Sequence, residues 1–230
     1  MKNPISFRGM VFLAIFAILA FAGLQISVFS IQGANGKAFT LFEFFGPMAG
    51  GFLGVSGAIV VFAAKLVNQL IAGTSISMID LIKLTPMMFA AAYFARNSLR
   101  GAKDTLGIAL PVLAMLAFWM HPIGQQAWFY ALYWTIPIMV KFLPDRLFLR
   151  SLGATFSAHA VGSILFLYTI PTVPALWLGL MPIVAIERTL FALGISASYL
   201  FFTNVLNAVD RAIEIRKYVD LDKRYVLQLG

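Results

Sequence analysis

The stretch "WLGLMPIVAIERTLFALG", Trp177 to Gly194, decides how this chain folds. Its length and apolar character are those of a segment that crosses a bilayer, which needs about 20 predominantly apolar residues. Glu187 and Arg188 nevertheless stand side by side in its middle. A charge at the centre of a membrane costs about 2.5–3.5 kcal/mol even on lenient scales, so each side chain needs a partner, water or a ligand.

The composition of the whole chain also indicates a membrane protein. Of its 230 residues, 61% are hydrophobic and 11% are charged, against about 25% charged in a typical soluble domain. The net charge of +8 comes from basic residues between apolar runs, which is typical of topology signals rather than of a nucleic-acid surface. We expect one transmembrane domain over 1–230, with a polar cytoplasmic tail from about residue 208.

Apolar runs of helix length recur along the chain. They lie at 10–31, 47–72, 79–95, 104–120, 127–143, 152–170 and 175–205. The first run continues well past Ala22, where a signal peptide would be cleaved, so we interpret it as a retained helix. The predicted fold class is all-α: a polytopic membrane helical bundle of six or seven transmembrane helices, with six favoured.

Basic segments between these runs predict the topology. "RNSLRGAK", "LPDRLFLR" and the C-terminal tail are basic, as is the start of the chain with Lys2 and Arg8. The positive-inside rule places all of them, and hence the C-terminus, in the cytoplasm. Seven complete crossings would put the termini on opposite sides. The short run 79–95, interrupted by Pro86, is therefore expected to be partial or re-entrant.

Helix geometry suggests partners for the two charges in the last run. Adjacent helical residues point about 100° apart, which predicts that Glu187 and Arg188 do not simply pair with each other. His159 precedes the turn at 171–174 by about as many residues as Glu187 follows it, about 20 Å along each helix. Two antiparallel neighbours would thus bring both to one level. Trp177, three turns before Arg188, is placed to roof a cavity.

An aromatic run, "FWMHPIGQQAWFYALYWTIP", covers Phe118 to Pro137 at a predicted outer boundary. Most of its aromatic residues fit a belt that anchors the membrane interface. The alternative is that some of them line a binding site. Trp134, the deepest, and His121, which can donate or accept a hydrogen bond, are the candidates.

Small residues in "GPMAGGFLGVSGA" indicate close helix packing. Gly46, Gly50 and Gly54 recur at four-residue spacing, and such a stripe lets transmembrane helices approach closely. The stripe could face a partner subunit or pack inside the chain.

Several functions are disfavoured by what the sequence lacks. It has no cysteine and only two histidines, His121 and His159, so no disulfide or metal site is expected. GxxxxGK[ST], HExxH and GxSxG are all missing, which argues against ATP binding by a P-loop and against familiar hydrolases. We expect no cofactor and no enzymatic activity.

One family resemblance joins these features. The loop after the first helix, the glycine-rich second helix and "HAVGSILFLYTIP…ALWLGLMPIVAIERTLFALG" resemble the substrate-binding S components of energy-coupling factor transporters, best over 152–200. The resemblance implies a six-helix bundle in a prokaryotic plasma membrane that captures a vitamin or metal from outside. It also implies docking on a transmembrane coupling subunit driven by two cytoplasmic ATPases. The family's Ala-x-x-x-Ala docking face is replaced here by alanines spaced by three, Ala14 and Ala17 among them, so the Gly46/Gly50/Gly54 face is an alternative.

The resulting expectation is a membrane-embedded subunit that binds a small molecule for uptake. The candidate substrate-binding residues are His159, Trp177, Glu187, Arg188, Trp134 and His121. Two readings from other classes remain: an intramembrane enzyme acting on a lipid or isoprenoid, with Glu187 or His159 as acid/base, and a structural subunit of a membrane complex. Glu187 and Arg188 themselves either bind the ligand or brace the helices.

Overall fold

The structure, a computed structural model, describes residues 7–30, 38–73, 76–95, 101–214, 216 and 219–227. It is all-α and 83% helical, which confirms the predicted fold class at that level. The helices and strands are α1 Phe7–Gln25, β1 Ser27–Ser30, β2 Ala38–Thr40, α2 Phe42–Leu53, α3 Ser56–Ile71, α4 Met78–Lys83, α5 Thr85–Ala95, α6 Thr105–Met120, α7 Pro122–Gln126, α8 Thr135–Val140, α9 Leu147–Thr169 and α10 Pro174–Ile213. A 3₁₀ segment, Trp128–Trp134, leads into α8.

Within the described residues, three helical spans are long and apolar enough to cross a membrane. They are Met78–Ala95, Leu147–Thr169 and Pro174–Asp210. Shorter apolar helices cover Phe16–Gln25, Ser56–Ile71, Thr105–Met120 and Trp128–Val140. These helices are compatible with a membrane protein, and the count of six or seven crossings stays a prediction.

The apolar run 47–72 is not one helix, as its length suggested, but two. Gly54 ends α2 with a backbone φ of 65°, a conformation that residues with a Cβ rarely adopt. The chain then turns back, so that a Cβ at Gly57 would lie 2.3 Å from the Ala49 carbonyl oxygen. Further along, the Lys65 ammonium lies 3.7 Å from the Glu43 carboxylate. These two contacts define an antiparallel α2–α3 hairpin.

The glycine stripe packs inside the chain. A Cβ at Gly46 would meet Met87 at 2.5 Å, and one at Gly50 would meet the Ala91 carbonyl oxygen at 1.9 Å. Both glycines are buried against α5, while Gly54 lies at the end of the helix. The stripe therefore joins α2 to α5, and the surface that it would offer to a partner subunit is already occupied.

The first apolar run also ends earlier than predicted. Helix α1 stops at Gln25, and Ser27–Ser30 forms a strand that pairs antiparallel with Ala38–Thr40. The sequence "ISVFS" mixes apolar with polar residues and includes β-branched ones, which suit a pleated strand. The Ile26 carbonyl then accepts from the Leu41 amide at 2.8 Å, so the hairpin leads directly into α2.

Three of the segments predicted to be cytoplasmic meet at one end of the bundle, whereas Lys2, at the start of the chain, lies outside the described residues. The Gly101 amide donates to the Lys141 carbonyl at 2.8 Å, and Asp145 binds Arg224 of the tail at 2.7 Å. Residues 96–100 of the first basic segment lie outside the described residues. In the predicted polar tail, Glu214 takes a left-handed conformation (φ 50°) and ends α10.

Two hydrophobic clusters organise the interior. One is built on α2, α3, α5, the first half of α9 and the second half of α10. The other lies between α6, the 3₁₀ segment, the second half of α9 and the first half of α10. Because α9 and α10 contribute to both clusters, they connect the two halves of the molecule.

Candidate functional site

A histidine on α9 is the centre of the second cluster. The Trp134 indole N–H donates to Nδ1 of His159 at 3.1 Å, and Nε2 of His159 lies 2.9 Å from the Tyr130 hydroxyl. Because Nδ1 accepts, the hydrogen-bond network assigns the ring proton to Nε2. The ring thus donates to Tyr130, and the Ser163 hydroxyl stands 3.4 Å from the same nitrogen.

An unusual backbone holds Tyr130 and Trp134 over His159. They belong to the seven-residue 3₁₀ segment Trp128–Trp134. Runs of 3₁₀ helix longer than three or four residues are uncommon, because their hydrogen-bond geometry is poor, and they often mark a hinge or strain. The neighbouring Tyr133 hydroxyl fixes this segment to α10 by donating to the Met181 carbonyl at 2.8 Å.

Aromatic rings enclose the polar cluster. The Trp177 ring centroid lies 4.8 Å from Tyr130 and 5.1 Å from Phe118, and Phe118 lies 5.4 Å from Trp134. These contacts are edge-to-face, the arrangement that ring quadrupoles favour. The Trp177 indole N–H donates to the Thr172 hydroxyl at 3.1 Å. Trp177 is thus one wall of a buried aromatic cluster, and its role as the roof of a cavity stays a prediction.

Glu187 and Arg188 do contact each other, contrary to the prediction from helix geometry. Arg188 Nη2 lies 3.5 Å from Glu187 Oε2, because two long side chains can bend towards each other even when their Cα–Cβ bonds diverge. The Arg188 Nη1 group also donates to the Thr155 hydroxyl at 3.3 Å. Thr155 lies one turn before His159 on α9, so Arg188 lies near the histidine cluster.

The two members of this pair differ in exposure. The Arg188 side chain is 8% exposed and that of Glu187 is 23% exposed. The guanidinium carbon lies 4.5 Å from the Phe191 ring centroid, close enough for a cation–π interaction. Arg188 is therefore held by a ring, a hydroxyl and a loose carboxylate contact, and Glu187 is the more accessible charge.

His121 has a local structural role. Its Nδ1 accepts from the Ile123 amide at 3.3 Å, which caps α7, and its ring centroid lies 5.1 Å from that of Tyr168. The structure thus brings Trp134, His159 and Trp177 into one cluster and places Arg188 beside it. It gives His121 the position of a helix cap instead.

Sequence reasoning missed two features of this interior. Tyr130 was grouped with the interface aromatics, although it binds His159 directly; its position four residues before Trp134 was the only available signal. Lys141 and Asp104 form an ion pair at 2.7 Å with side chains 1% and 0% exposed. The Lys141 ammonium also lies 4.0 Å from the Tyr93 ring centroid. Lys141 ends an apolar run, and nothing in that run marks it as buried.

Among the described residues, no group of three His, Cys, Asp or Glu side chains is placed to hold a metal ion. What the candidate site offers is hydrogen bonding at His159 and Tyr130, aromatic surface and the charge of Arg188. Comparison with family models, with curated proteins and with solved structures gave no match. The resemblance to the S components stays a prediction from the quoted motifs.

Proposed function

We propose that this chain is a membrane-embedded substrate-binding subunit of an uptake transporter for a vitamin or another small molecule, of the energy-coupling factor type. One observation supports this above the rest: the hydrogen-bonded set Trp134, His159 and Tyr130 lies inside an aromatic enclosure with Arg188 beside it. Ligand sites in proteins combine mostly apolar and aromatic walls with a few placed polar groups.

The chemistry of the enclosure favours a flat polar ligand. Rings at Trp177 and Tyr130 can stack on a planar heterocycle. The Tyr130 hydroxyl accepts from His159 and keeps its own proton, so it can donate to a ligand acceptor. Arg188 suits a carboxylate or phosphate on the same molecule. Since the rings now contact one another, binding requires Trp177 or Tyr130 to move aside.

We place both termini in the cytoplasm with six full crossings. The α2–α3 hairpin supports this number, because a hairpin contributes an even number of crossings where a single helix contributes one. Helix α2, with 12 residues, is about 18 Å long and too short for a core of about 30 Å. On this count the hairpin leaves and returns on one side, and 79–95, expected above to be partial, is a full crossing, because Met78–Ala95 is long and apolar enough to span. The basic segments then fall on one side as the positive-inside rule requires.

The topology can be tested on this cysteine-free chain. Single cysteines replacing Asp145 or Asp222 should resist a membrane-impermeant thiol reagent added from outside, whereas one replacing Thr172, between α9 and α10, should react. Labelling of the Asp145 or Asp222 positions from outside would contradict the proposed orientation.

A groove between α1 and α3 is the candidate surface for the coupling subunit. It has a volume of about 550 Å³ and an apolar lining. The lining residues are Ala17, Ile18, Phe21, Val60, Ala63, Ala64, Val67 and Ile71. Of the two alanines proposed for docking, Ala17 lines the groove, and the Ala14 side chain lies outside the described residues. Small side chains there permit the close approach of another transmembrane helix.

Native mass spectrometry of the purified protein tests the function. We expect a retained small molecule in wild type, loss of it in His159→Ala, and its retention in Gln126→Ala, a control at an exposed position near the same end. Co-purification of ATPase subunits would support uptake. Turnover of an added lipid or isoprenoid would instead support the intramembrane enzyme. If neither a ligand nor turnover is found, the structural-subunit reading stands and the proposal fails.

A further inference from the structure

The C-terminal segment 219–227, here called the strap, folds back over one end of the bundle. The Asp220 amide donates to the Phe52 carbonyl at 2.9 Å. The Asn204 side-chain amide binds the strap backbone twice, donating to the Tyr225 carbonyl at 3.0 Å and accepting from the Leu227 amide at 2.7 Å. Val219 is fully buried. The strap is thus an ordered lid held by specific backbone contacts.

Arg150, on the first turn of α9, lies beneath this strap. It is 4% exposed, and its guanidinium carbon lies 4.3 Å from the Phe94 ring centroid, 4.8 Å from Tyr199 and 5.8 Å from Tyr225. Two of these rings belong to helices α5 and α10, and the third belongs to the strap. Arg150 is therefore a cation in an aromatic cage that the strap completes.

The cage accounts for the charge of Arg150, and the Tyr199 hydroxyl lies within its hydrogen-bonding reach, but part of its hydrogen-bonding capacity is unused. Its Nε and Nη2 atoms are buried and have no hydrogen-bond partner among the described residues. A cation–π contact uses the face of the guanidinium plane, whereas its N–H groups point outward in that plane. Buried donors without an acceptor carry the full cost of lost hydration. The Nε and Nη2 groups thus form a pair of adjacent donors with the geometry to bind two oxygens of an oxyanion.

The strap supplies its own anion near this cation. The Arg224 hydrogen bonds hold the pKa of the Asp222 carboxyl below its usual range, and the positive charge of Arg150 adds to that lowering. Arg224 also binds Asp145 at 2.7 Å, but its side chain is 51% exposed. Exposed ion pairs contribute about 0–1 kcal/mol. This part of the strap is consequently weakly held and can be displaced.

The position of Arg150 favours a phosphate group as the displacing ligand. Arg146, one turn earlier, is exposed and basic, and Lys223 and Arg224 of the strap add positive charge at the same end. Basic pockets at helix ends bind the headgroups of anionic lipids. Guanidinium binds phosphate in a bidentate geometry that ammonium cannot reproduce.

We propose that Arg150 is a phosphate-binding residue covered by the strap. When 219–227 lifts, the Nε and Nη2 donors of Arg150 bind a phosphate oxyanion in place of the contact with Tyr225. The phosphate comes either from the headgroup of an anionic lipid or from solution. Binding and strap closure are therefore mutually exclusive, so phosphate shifts the strap towards its open state.

A fluorophore on the strap tests this exclusion. Because the chain contains no cysteine, bimane can be attached specifically to Leu221→Cys, a partly buried strap position packed against the first hydrophobic cluster, in the full-length protein in phosphatidylcholine nanodiscs. Increasing fractions of phosphatidylglycerol should move the bimane emission to that of a solvated probe. Inorganic phosphate added to phosphatidylcholine nanodiscs distinguishes the two sources: a response to it assigns free phosphate, and a response to phosphatidylglycerol alone assigns the lipid headgroup. If the emission responds to neither, the proposal is wrong.

Three substitutions separate a phosphate ligand from a merely loosened strap. Arg150→Gln should raise the phosphatidylglycerol fraction at half-maximal response by about tenfold, because a charge-assisted bidentate contact is lost. Tyr225→Leu also loosens the strap, but it removes the ring that competes with phosphate for Arg150. It should therefore lower the phosphatidylglycerol fraction at half-maximal response. Arg146→Gln, an exposed basic control at the same end, should change it by less than about twofold.

The proposal requires that Arg150→Gln and Tyr225→Leu change the half-maximal phosphatidylglycerol fraction in opposite directions. If Arg150→Gln and Tyr225→Leu shift the response in the same direction, the strap is only loosened and Arg150 binds no phosphate. If Arg150→Gln does not fold, Arg150→Lys keeps the charge but not the fork, and it should still raise the half-maximal fraction. An unchanged fraction in Arg150→Lys overturns the assignment.

Discussion

Two ion pairs of this chain differ in burial, in the distance between their charges and in the separation of their residues along the sequence. Asp104 and Lys141 lie 37 residues apart in sequence, approach to 2.7 Å and are 0% and 1% exposed. Glu187 and Arg188 are adjacent in sequence, lie 3.5 Å apart and are 23% and 8% exposed. The first pair joins two distant segments in a fixed geometry. The second pair links two neighbouring residues of one helix, which the backbone already connects, so it is not needed to bring helices together.

The difference between the two pairs shows how an ion pair that stabilises the fold can be distinguished from one that belongs to a binding site. A pair that stabilises the fold must connect separate elements, and Lys141 adds a cation–π contact with Tyr93 of α5 at 4.0 Å. Arg188 contacts α9 through the Thr155 hydroxyl, and its carboxylate partner is partly accessible. A ligand can therefore replace Glu187 or Thr155 as the partner of Arg188, whereas no comparable exchange is open to Lys141.

The largest effect is expected at the tight pair. Asp104→Asn leaves the Lys141 ammonium buried without its counter-charge, so the free energy of unfolding should fall by about 3–5 kcal/mol. Thermal and chemical unfolding in detergent measure this. Asp80→Asn is the control: this carboxylate is half-buried and belongs to the capping box at the start of α4, so its replacement should cost about 1 kcal/mol. A loss at Asp104 no larger than that of the control contradicts its role as a brace.

The same change in the loose pair should affect binding rather than folding. Glu187→Gln keeps the size and most hydrogen bonding of the side chain, and a neutral amide is cheaper to bury than a carboxylate. The affinity for the retained ligand should drop by about 1–3 kcal/mol, with the unfolding free energy nearly unchanged. Binding and unfolding assays on one preparation separate these quantities. Should stability collapse while the folded fraction binds normally, Glu187 is a brace like Asp104.

A smaller effect is expected from the aromatic cluster beside Arg188. Trp134→Phe removes the N–H that donates to His159 while keeping a ring in place, so ligand affinity should weaken by about 1 kcal/mol. Trp128→Phe is the matched control in the same 3₁₀ segment, because Trp128 is exposed and stacks on Phe129. Equal affinities in the two variants would remove Trp134 from the site.

The smallest effect belongs to the exposed contact of Asp222 with Arg224. Because the pKa of Asp222 is lowered in the folded chain, chiefly by Arg224, its contribution is present above the ordinary carboxyl pKa of about 4. It is lost as the pH falls through the lowered folded value. Hydrogen exchange of the Asp220 and Leu227 amides should therefore show less strap protection below about pH 4, by under about 1 kcal/mol. Asp222→Asn should abolish this pH dependence; an unaltered profile would show that another group causes it.

Composition and periodicity predicted the fold class correctly but several helix boundaries wrongly. The all-α architecture follows from apolar content, and helix starts such as Pro174 carry clear local signals. The break in 47–72 was missed because a glycine such as Gly54 fits equally in a packed stripe or at a helix end. The end of α1 was missed because Ile26, Val28 and Phe29 extend the apolar run past Gln25, and single polar residues such as Ser27 also occur within transmembrane helices.

For the candidate site, the sequence predicted individual residues better than their contacts. His159 was proposed from its spacing about the turn at 171–174, Trp177 from its position three turns before Arg188, and Trp134 from its depth in the aromatic run. The structure places the three in one cluster, and their role in binding a ligand stays a prediction. The prediction that Glu187 and Arg188 do not pair considered backbone direction alone and neglected the reach of two long side chains.

The sequence by itself determined the properties that depend on composition and on the spacing of nearby residues. These are an apolar helical chain, basic segments between its helices, and two charges in the middle of an apolar run. The tertiary structure alone decided which long-range contacts exist, including those of Lys141 with Asp104 and of the strap with Arg150. The physical reason is that a charge between apolar residues can snorkel to water, pair or bind a ligand. Which of these three arrangements has the lowest free energy depends on where residues distant in the sequence lie in the fold.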